Sequence, residues 1–460
     1  MNKNITSLFA IIAVFSLMSG IALNAVAQTS TSSSWPMFRN DLLRTGVSTS
    51  AGPTTNQTLW KFTTDGQVWS SPAVASGVVY VATLNGTVYA VNASTGTQLW
   101  KYTTGAHVYS SPAVADGAVY IGSNDNNTYA LNATDGAQLW NFTTGNQVQS
   151  SPAVTNGIVY IGSNDNNTYA LNATNGAQLW NFTTGYNVIS SPAIVEGVLY
   201  VGSFDSRIYA LDATSGVQIW NYTTGRGVEP SPAVVDGVVF VGSYDNLTYA
   251  LNATTGTQIW NATVGGDLCV QSSPAVANGV VYIGGSDEPY VYAFNATTGK
   301  QLWNYTTGMQ VFSSPAIASG IVYVGGFNNT FFALNATSGT PIWTYATNDG
   351  KNTGSTFSPG GEIYSSPAVV DGVVYVGSYD KNVYAFAPST NPQPSPSTSA
   401  SASISPSASP TTSASPTSTA STTPTPATSS NTTYYIIAAA IVIIIMIAVV
   451  AALTLRKRHQ

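Results

Sequence analysis

Few residues of this chain have the types and spacing for acid–base, nucleophilic or metal chemistry. It has two histidines, His107 and His459, and one cysteine, Cys269. These build no histidine cluster, no vicinal or intrachain disulfide and no Cys/His metal set. Acids are more numerous, but Asp125, Asp165, Asp205, Asp245 and Asp380 stand in one recurring loop. An oxygen-rich stretch such as "SNDNN" offers calcium ligands, yet it lacks the spacing of an EF-hand loop. Asp set by repetition reads first as a turn former. Outside that pattern, "RGVEPSP" places Arg226 and Glu229 where related positions are neutral. No catalytic residue and no metal ligand is assigned.

The elements that position these residues repeat. "SPAV" or "SPAI" recurs with its proline at 72, 112, 152, 192, 232, 274, 315 and 367. A tryptophan closing "QLW" or a variant recurs as Trp60, Trp100, Trp140, Trp180, Trp220, Trp260, Trp303 and Trp343. "GSNDNNTYALNAT" appears identically at 122–134 and 162–174. A period near forty residues marks a repeat architecture. Within one unit, "SSPAVADG" is a short apolar strand with a tight turn, and "AVYIGS" a strand buried on both faces. "TYALNA" is a third strand, and "QLWNFTTG" alternates as a half-buried outer strand. Four short antiparallel strands make one propeller blade. No 3.6-residue period occurs, which excludes a helical solenoid.

The first Trp precedes the first "SPAV", and the last "SPAV" has no Trp after it. The simplest closure puts 59–64 beside 382–387, giving eight blades with no open sheet edge. Each docking Trp is expected between blades, where an indole buries roughly 150–250 Å². The Gly four residues before it, as Gly136 before Trp140, is expected to make the turn that aims it.

The loop entering each innermost strand varies most. Its last residues are Trp69, Tyr109, Gln149, Ile189, Glu229, Gln271, Phe312 and Tyr364. They are expected to ring the channel mouth, with Arg226 nearby. Aromatic rings beside amides suit stacking and hydrogen bonding to a sugar or peptide, and the alternative use is rim packing. Two longer loops, "GGDLCVQ" and 348–362, are expected on the same face, with Arg207, Asp287 and Glu288.

The ends differ from the repeats. Residues 1–27 read as a signal peptide, with "AVA" (Ala25–Ala27) as the cleavage site. A lead-in segment follows at 28–58 and the propeller at 59–387. Residues 388–433 collapse to Ser, Thr, Pro and Ala, a disordered stalk of up to ~130 Å, open to O-glycosylation. Residues 434–455 read as one transmembrane helix, and the basic tail 456–460 as cytoplasmic. The propeller is then extracellular on a single-pass cell-membrane protein. All 19 acids, but nine of the 13 cations, fall within 28–387. With no basic stripe, nucleic acid is not the expected partner.

Eighteen N-x-S/T sequons follow the leader. Some recur in a turn (Asn132, Asn172, Asn252, Asn295, Asn335) and others on the outer strand (Asn141, Asn181, Asn221, Asn304). All nine are candidates for partial glycosylation.

"ALNATDGAQLW" (Ala130–Trp140) resembles the docking motif A-x-D-x-x-x-G-x-x-x-W of eight-bladed quinoprotein dehydrogenases. The wider resemblance, over about 35–387, is to the PQQ-like propeller repeat family, which includes BamB-like assembly factors. "SWPMFRNDLLRTGVS" (Ser34–Ser48) is similar to the lead-in of many such secreted propellers. The resemblance implies an all-β, eight-bladed propeller of four-stranded antiparallel blades. For the enzymes it further implies PQQ, usually calcium, a catalytic Asp, acidic or amide metal ligands and often vicinal cysteines. The docking motif holds blades together without binding cofactor, and this chain lacks the cysteines. The expectation is therefore a non-catalytic binding or interaction module, scaffold or adhesion, without cofactor. Its partner would be a protein or a glycan or cell-wall ligand. A PQQ-dependent dehydrogenase and a BamB-like assembly scaffold are the alternatives.

Overall fold

The computed structural model describes residues 34–266, 269–286, 289–348 and 360–388. It forms eight four-stranded antiparallel sheets, arranged as the blades of a propeller. Blades 1 to 7 span 73–103, 113–143, 153–183, 193–223, 233–263, 275–306 and 316–346. Blade 8 takes three strands from 368–386 and its outer strand from Thr58–Thr63, which pairs with Asn382–Phe386. The ring is closed by the N-terminal strand within one residue of the expected register. Among the described residues no helix is long and apolar enough to cross a membrane. The expected leader 1–27, the stalk from 389 on, the span at 434–455 and the tail lie outside the described residues.

Blade 2 illustrates how the sequence makes the unit. Its inner strand is only Ala113–Ala115, because Pro112 before it has no N–H to add to the ladder. Ala118–Gly122 is buried throughout, as its unbroken apolar run requires. Asn127–Asn132 pairs with it, and Gln138–Thr143 closes the sheet. A bulge between Ala130 and Leu131 faces Trp140 and Gln138 across the ladder and skips Leu139. The extra residue leaves Gln138 and Leu139 both outside and turns Trp140 inward.

The tryptophans act between blades. Trp140 Nε1 donates to the carbonyl of Ala173 in blade 3 at 2.9 Å, and Tyr120 Oη donates to the same oxygen at 3.1 Å. Trp60, Trp100, Trp180 and Trp220 repeat the bond to Ala93, Ala133, Ala213 and Ala253. Trp260 reaches Ala296 without a tyrosine beside it, since Phe240 holds that place. Trp303 reaches Ala336 and is the one docking indole left partly exposed. At the seam Trp343 and Tyr323 both donate to Pro53, so the lead-in supplies the carbonyl that blade 8 does not.

The glycine four residues before seven of the eight tryptophans (Asn56 stands there before Trp60) makes the expected turn and has a further role. Gly136 does adopt a left-handed φ of 75° in the turn. However, a Cβ there would lie 2.6 Å from Cε3 of Trp100, the indole of the preceding blade. Gly136 therefore makes room for Trp100, and it is the bulge that turns Trp140 inward.

The lead-in closes the base. Trp35 exchanges two backbone hydrogen bonds with Val74, and Val114 donates to Pro36. Ile194, Val234, Val276 and Ile317 donate to Leu42, Leu43, Thr45 and Gly46, and Ser48 Oγ donates to Val369. Arg44 reaches Pro152 and Pro192, and Arg39 reaches Pro274 and Pro315. One short segment is thus tied to seven inner strands and, in blade 3, to the Pro152 carbonyl just before the strand. Burial pulls both guanidinium groups down to about 9, so both stay charged at neutral pH.

Candidate functional site

The residue entering each inner strand is followed by a serine pair, or in blade 5 by Pro230 and Ser231. The second serine forms a closed ring: Ser71 N–H donates to Ser111 Oγ, Ser111 to Ser151, Ser151 to Ser191, and so on through Ser231, Ser273 and Ser314. Ser366 returns to Ser71, each link being 2.9–3.0 Å. This circle holds eight loops at one level around the axis. Trp69, Tyr109, Gln149, Ile189, Glu229, Gln271, Phe312 and Tyr364 line one cavity there, above the serines and with Phe38 of the lead-in among its walls. Its volume is about 110 Å³. Arg226 is exposed and does not line it.

The mouth is two-sided. Blades 7, 8, 1 and 2 contribute Phe312, Tyr364, Trp69 and Tyr109. Tyr364 lies between Trp69 (ring centroids 4.0 Å apart, 16° between planes) and Phe312 (5.1 Å, 16°). Tyr109 meets Trp69 edge-on at 5.0 Å. Tyr379 packs against Tyr364 at 4.8 Å, and Phe327 against Phe312 at 5.5 Å. Burial pushes the Tyr364 and Tyr379 hydroxyls well up, so both are neutral donors.

Blades 3 to 6 contribute Gln149, Ile189, Glu229 and Gln271. Tyr244 donates its hydroxyl to Glu229 Oε2. Gln271 Nε2 donates to Tyr244 Oη at 2.6 Å and to Glu229 Oε2 at 3.3 Å. Burial raises the Glu229 pKa, and those two hydrogen bonds oppose the rise. Gln149 holds Gln147 at 3.3 Å.

Tyr244, Phe327 and Tyr379 were not foreseen at the site. They belong to the loop between second and third strands, at the residue after "GS" or "GG". That position reads Leu84 (after "AT"), Asn124, Asn164, Phe204, Tyr244, Ser286, Phe327 and Tyr379, as variable as the mouth ring itself. The next residue is the repeated Asp. Asp125 Oδ1 accepts the Asn127 N–H as an Asx turn, and Oδ2 accepts Tyr129 Oη and the Gly105 N–H of the preceding blade. Asp165, Asp205 and Asp245 do the same. These acids are spent on turns and on joining blades.

Of the asymmetric loops, Cys269 and Glu362 are described, while Asp287, Glu288 and 349–359 are not. The turn asparagines Asn132, Asn172, Asn252, Asn295 and Asn335 are half-buried, each accepting the N–H two residues on. Asn141, Asn181, Asn221 and Asn304 are exposed on the outer strands.

A family model for the outer membrane protein assembly factor BamB matches residues 44–150, 130–230 and 205–415. The chain belongs to this family of PQQ-like propellers. No curated protein matches it. Among solved structures, BamB from Moraxella catarrhalis superposes with a TM-score of 0.61 at 20% identity, covering 72% of this chain and 99% of that one. The quinohemoprotein alcohol dehydrogenase from Comamonas testosteroni gives 0.64 at 16%, covering 77% and 80%. A europium-containing methanol dehydrogenase gives 0.65 at 14%, covering 77% and 98%. At these identities the likeness is one of fold.

Proposed function

We propose that this family member is a surface-displayed, non-catalytic binding module whose ligand enters the channel mouth. The observation that carries the reading is the two-sided mouth. Aromatic rings on one arc face amides, a carboxyl and a tyrosine hydroxyl on the other, over a base crossed by the lead-in. Such a blind site suits one end of a ligand with a flat apolar face and hydroxyl or amide groups, a glycan or an extended peptide. The last strand, Asn382–Phe386, runs away from the mouth, so the chain leaves toward the opposite face.

The quinoprotein neighbours raise a second reading, and the donor set argues against it. Among the described residues no three His, Cys, Asp or Glu converge. The mouth's carboxyl, Glu229, is held toward its neutral form by burial and already accepts two hydrogen bonds. That is a poor calcium ligand. The family match favours a protein-interaction scaffold as the variant reading.

The test is equilibrium binding of the full chain to arrays of oligosaccharides and cell-wall fragments and to a peptide library, beside Tyr109→Ala and Gln149→Ala. Saturable binding weakened about 3- to 10-fold by Tyr109→Ala, with unchanged thermal stability, is the expected result. Binding indifferent to both changes moves the site away from the mouth.

A further inference from the structure

Of the outer-strand positions that follow the docking Trp, five are asparagines in sequons: Asn141, Asn181, Asn221, Asn261 and Asn304. In every one the Asn and the Thr two residues on are both exposed, on one side of the strand. In blades 2 and 3 the amide and hydroxyl also converge. Asn141 Nδ2 and Thr143 Oγ1 donate to Asn127 Oδ1 at 3.1 and 2.6 Å. Asn181 and Thr183 do so to Asn167 at 3.0 and 2.6 Å. Each Nδ2 keeps a second hydrogen that points away from that bond.

The sequons at the top loops are built the other way. Thr128, Thr168 and Thr248 are 0% exposed, and their hydroxyls have no hydrogen-bond partner, shut inside the blade. Thr87 is 2% exposed and donates to Asp65. The amides of Asn85, Asn246 and Asn328 each donate one hydrogen bond, to the carbonyls of Asp65, Gly266 and Thr307, so it is the shut-in hydroxyl that sets these sequons apart where Thr128, Thr168 and Thr248 are concerned. Glycosylation of Asn needs a reachable amide nitrogen and a reachable hydroxyl two residues on. The turn sequons stand between, with a half-buried Asn and an exposed hydroxyl residue.

We propose that the outer strands of blades 2 to 6 carry an arc of five N-glycans, and that the loop sequons at Asn85, Asn126, Asn166 and Asn246 stay bare. The donor is a prenyl-phosphate-linked oligosaccharide. Its C1–O bond to phosphate breaks, the Nδ2–C1 bond forms, the lipid phosphate leaves, and the Nδ2 proton passes to base. The other Nδ2 hydrogen and Oδ1 are untouched, so the bond to Asn127 survives. On blades 7, 8 and 1 the same position is Thr344, Lys61 and Lys101. The coat is therefore one-sided, and its gap falls on the blades that bring Phe312, Tyr364 and Trp69 to the mouth. The proposal rests on the secretory reading of residues 1–27.

The experiment is glycopeptide mass spectrometry on the full chain, made in a host that modifies N-x-S/T. The chain is exported behind its own leader and, in parallel, behind a leader of proven export. Occupancy is expected to be highest at the five outer-strand sites, lower at the turn sites and absent at the four loop sites. Thr143→Val should remove one glycan, and Thr143→Ser should keep it. Exported chain with bare outer strands, or with loop sites as occupied as outer ones, overturns the arc. Glycans at the five sites behind the proven leader alone support the arc and sink the secretory reading.

Discussion

Glu229 is the one carboxyl among the residues lining the mouth. Its folded pKa is raised by burial, so the native state holds the proton more tightly than the unfolded chain. This contribution to stability is full below the unfolded carboxyl value and is lost as pH rises through the folded one. Glu229→Gln keeps the hydrogen bonds to Tyr244 and Gln271 within reach and removes the titration. Denaturant melts from pH 4 to 8 should show a stability decline in the wild type that flattens in the variant; parallel curves would contradict this. Glycines offer a second residue-scale test. Gly117 has φ 77° and open space around its Cβ position, so Gly117→Ala should cost about 1 kcal/mol in backbone strain alone. Gly136→Ala adds the clash with Trp100 and should cost about 3 kcal/mol or more. Equal losses at the two sites would show that the indole yields freely.

At the scale of elements, the lead-in is the part that sequence reasoning left undefined. Its composition has no strand period, and its partners are backbone groups on or just before the inner strands of eight separate blades. Nothing local in "SWPMFRNDLLRTGVS" states that Arg44 will end beneath Pro152 and Pro192. By contrast, strand order, blade count and ring closure were legible, because each marker recurs in register and only one pairing removes the free edges. The positions of the mouth ring were legible for the same reason: a residue that varies stands before a repeated "SSP", or "PSP" after Glu229. Tyr244 and Tyr379 were missed because the second variable position lies beside a conserved-looking turn and meets the first only in three dimensions. The bulge that turns each Trp inward leaves no mark beyond an exposed aliphatic such as Leu139. Arg44→Ala would strand the buried carbonyls of Pro152 and Pro192 and the half-buried one of Phe38. A loss of about 3 kcal/mol in equilibrium unfolding is expected, and a loss under 1 kcal/mol would mean that water replaces the guanidinium.

The whole molecule is a closed ring of repeats whose copies serve symmetry, with identity residing where symmetry fails. Closure depends on one strand from the far end of the sequence. A chain beginning at Asp65 lacks Thr58–Thr63 and the lead-in, and so exposes the edge of Asn382–Phe386. It should lose its single cooperative melt and self-associate by size-exclusion chromatography; a stable monomer would show that the ring needs no closing strand. Function at this scale turns on whether the mouth binds without catalysing. The most direct measurement is native mass spectrometry with an absorption spectrum on the full chain, incubated with PQQ and calcium. The account predicts no stoichiometric quinone and no dye-linked alcohol oxidation. One PQQ and one calcium per chain, with turnover of an alcohol or sugar, would contradict it.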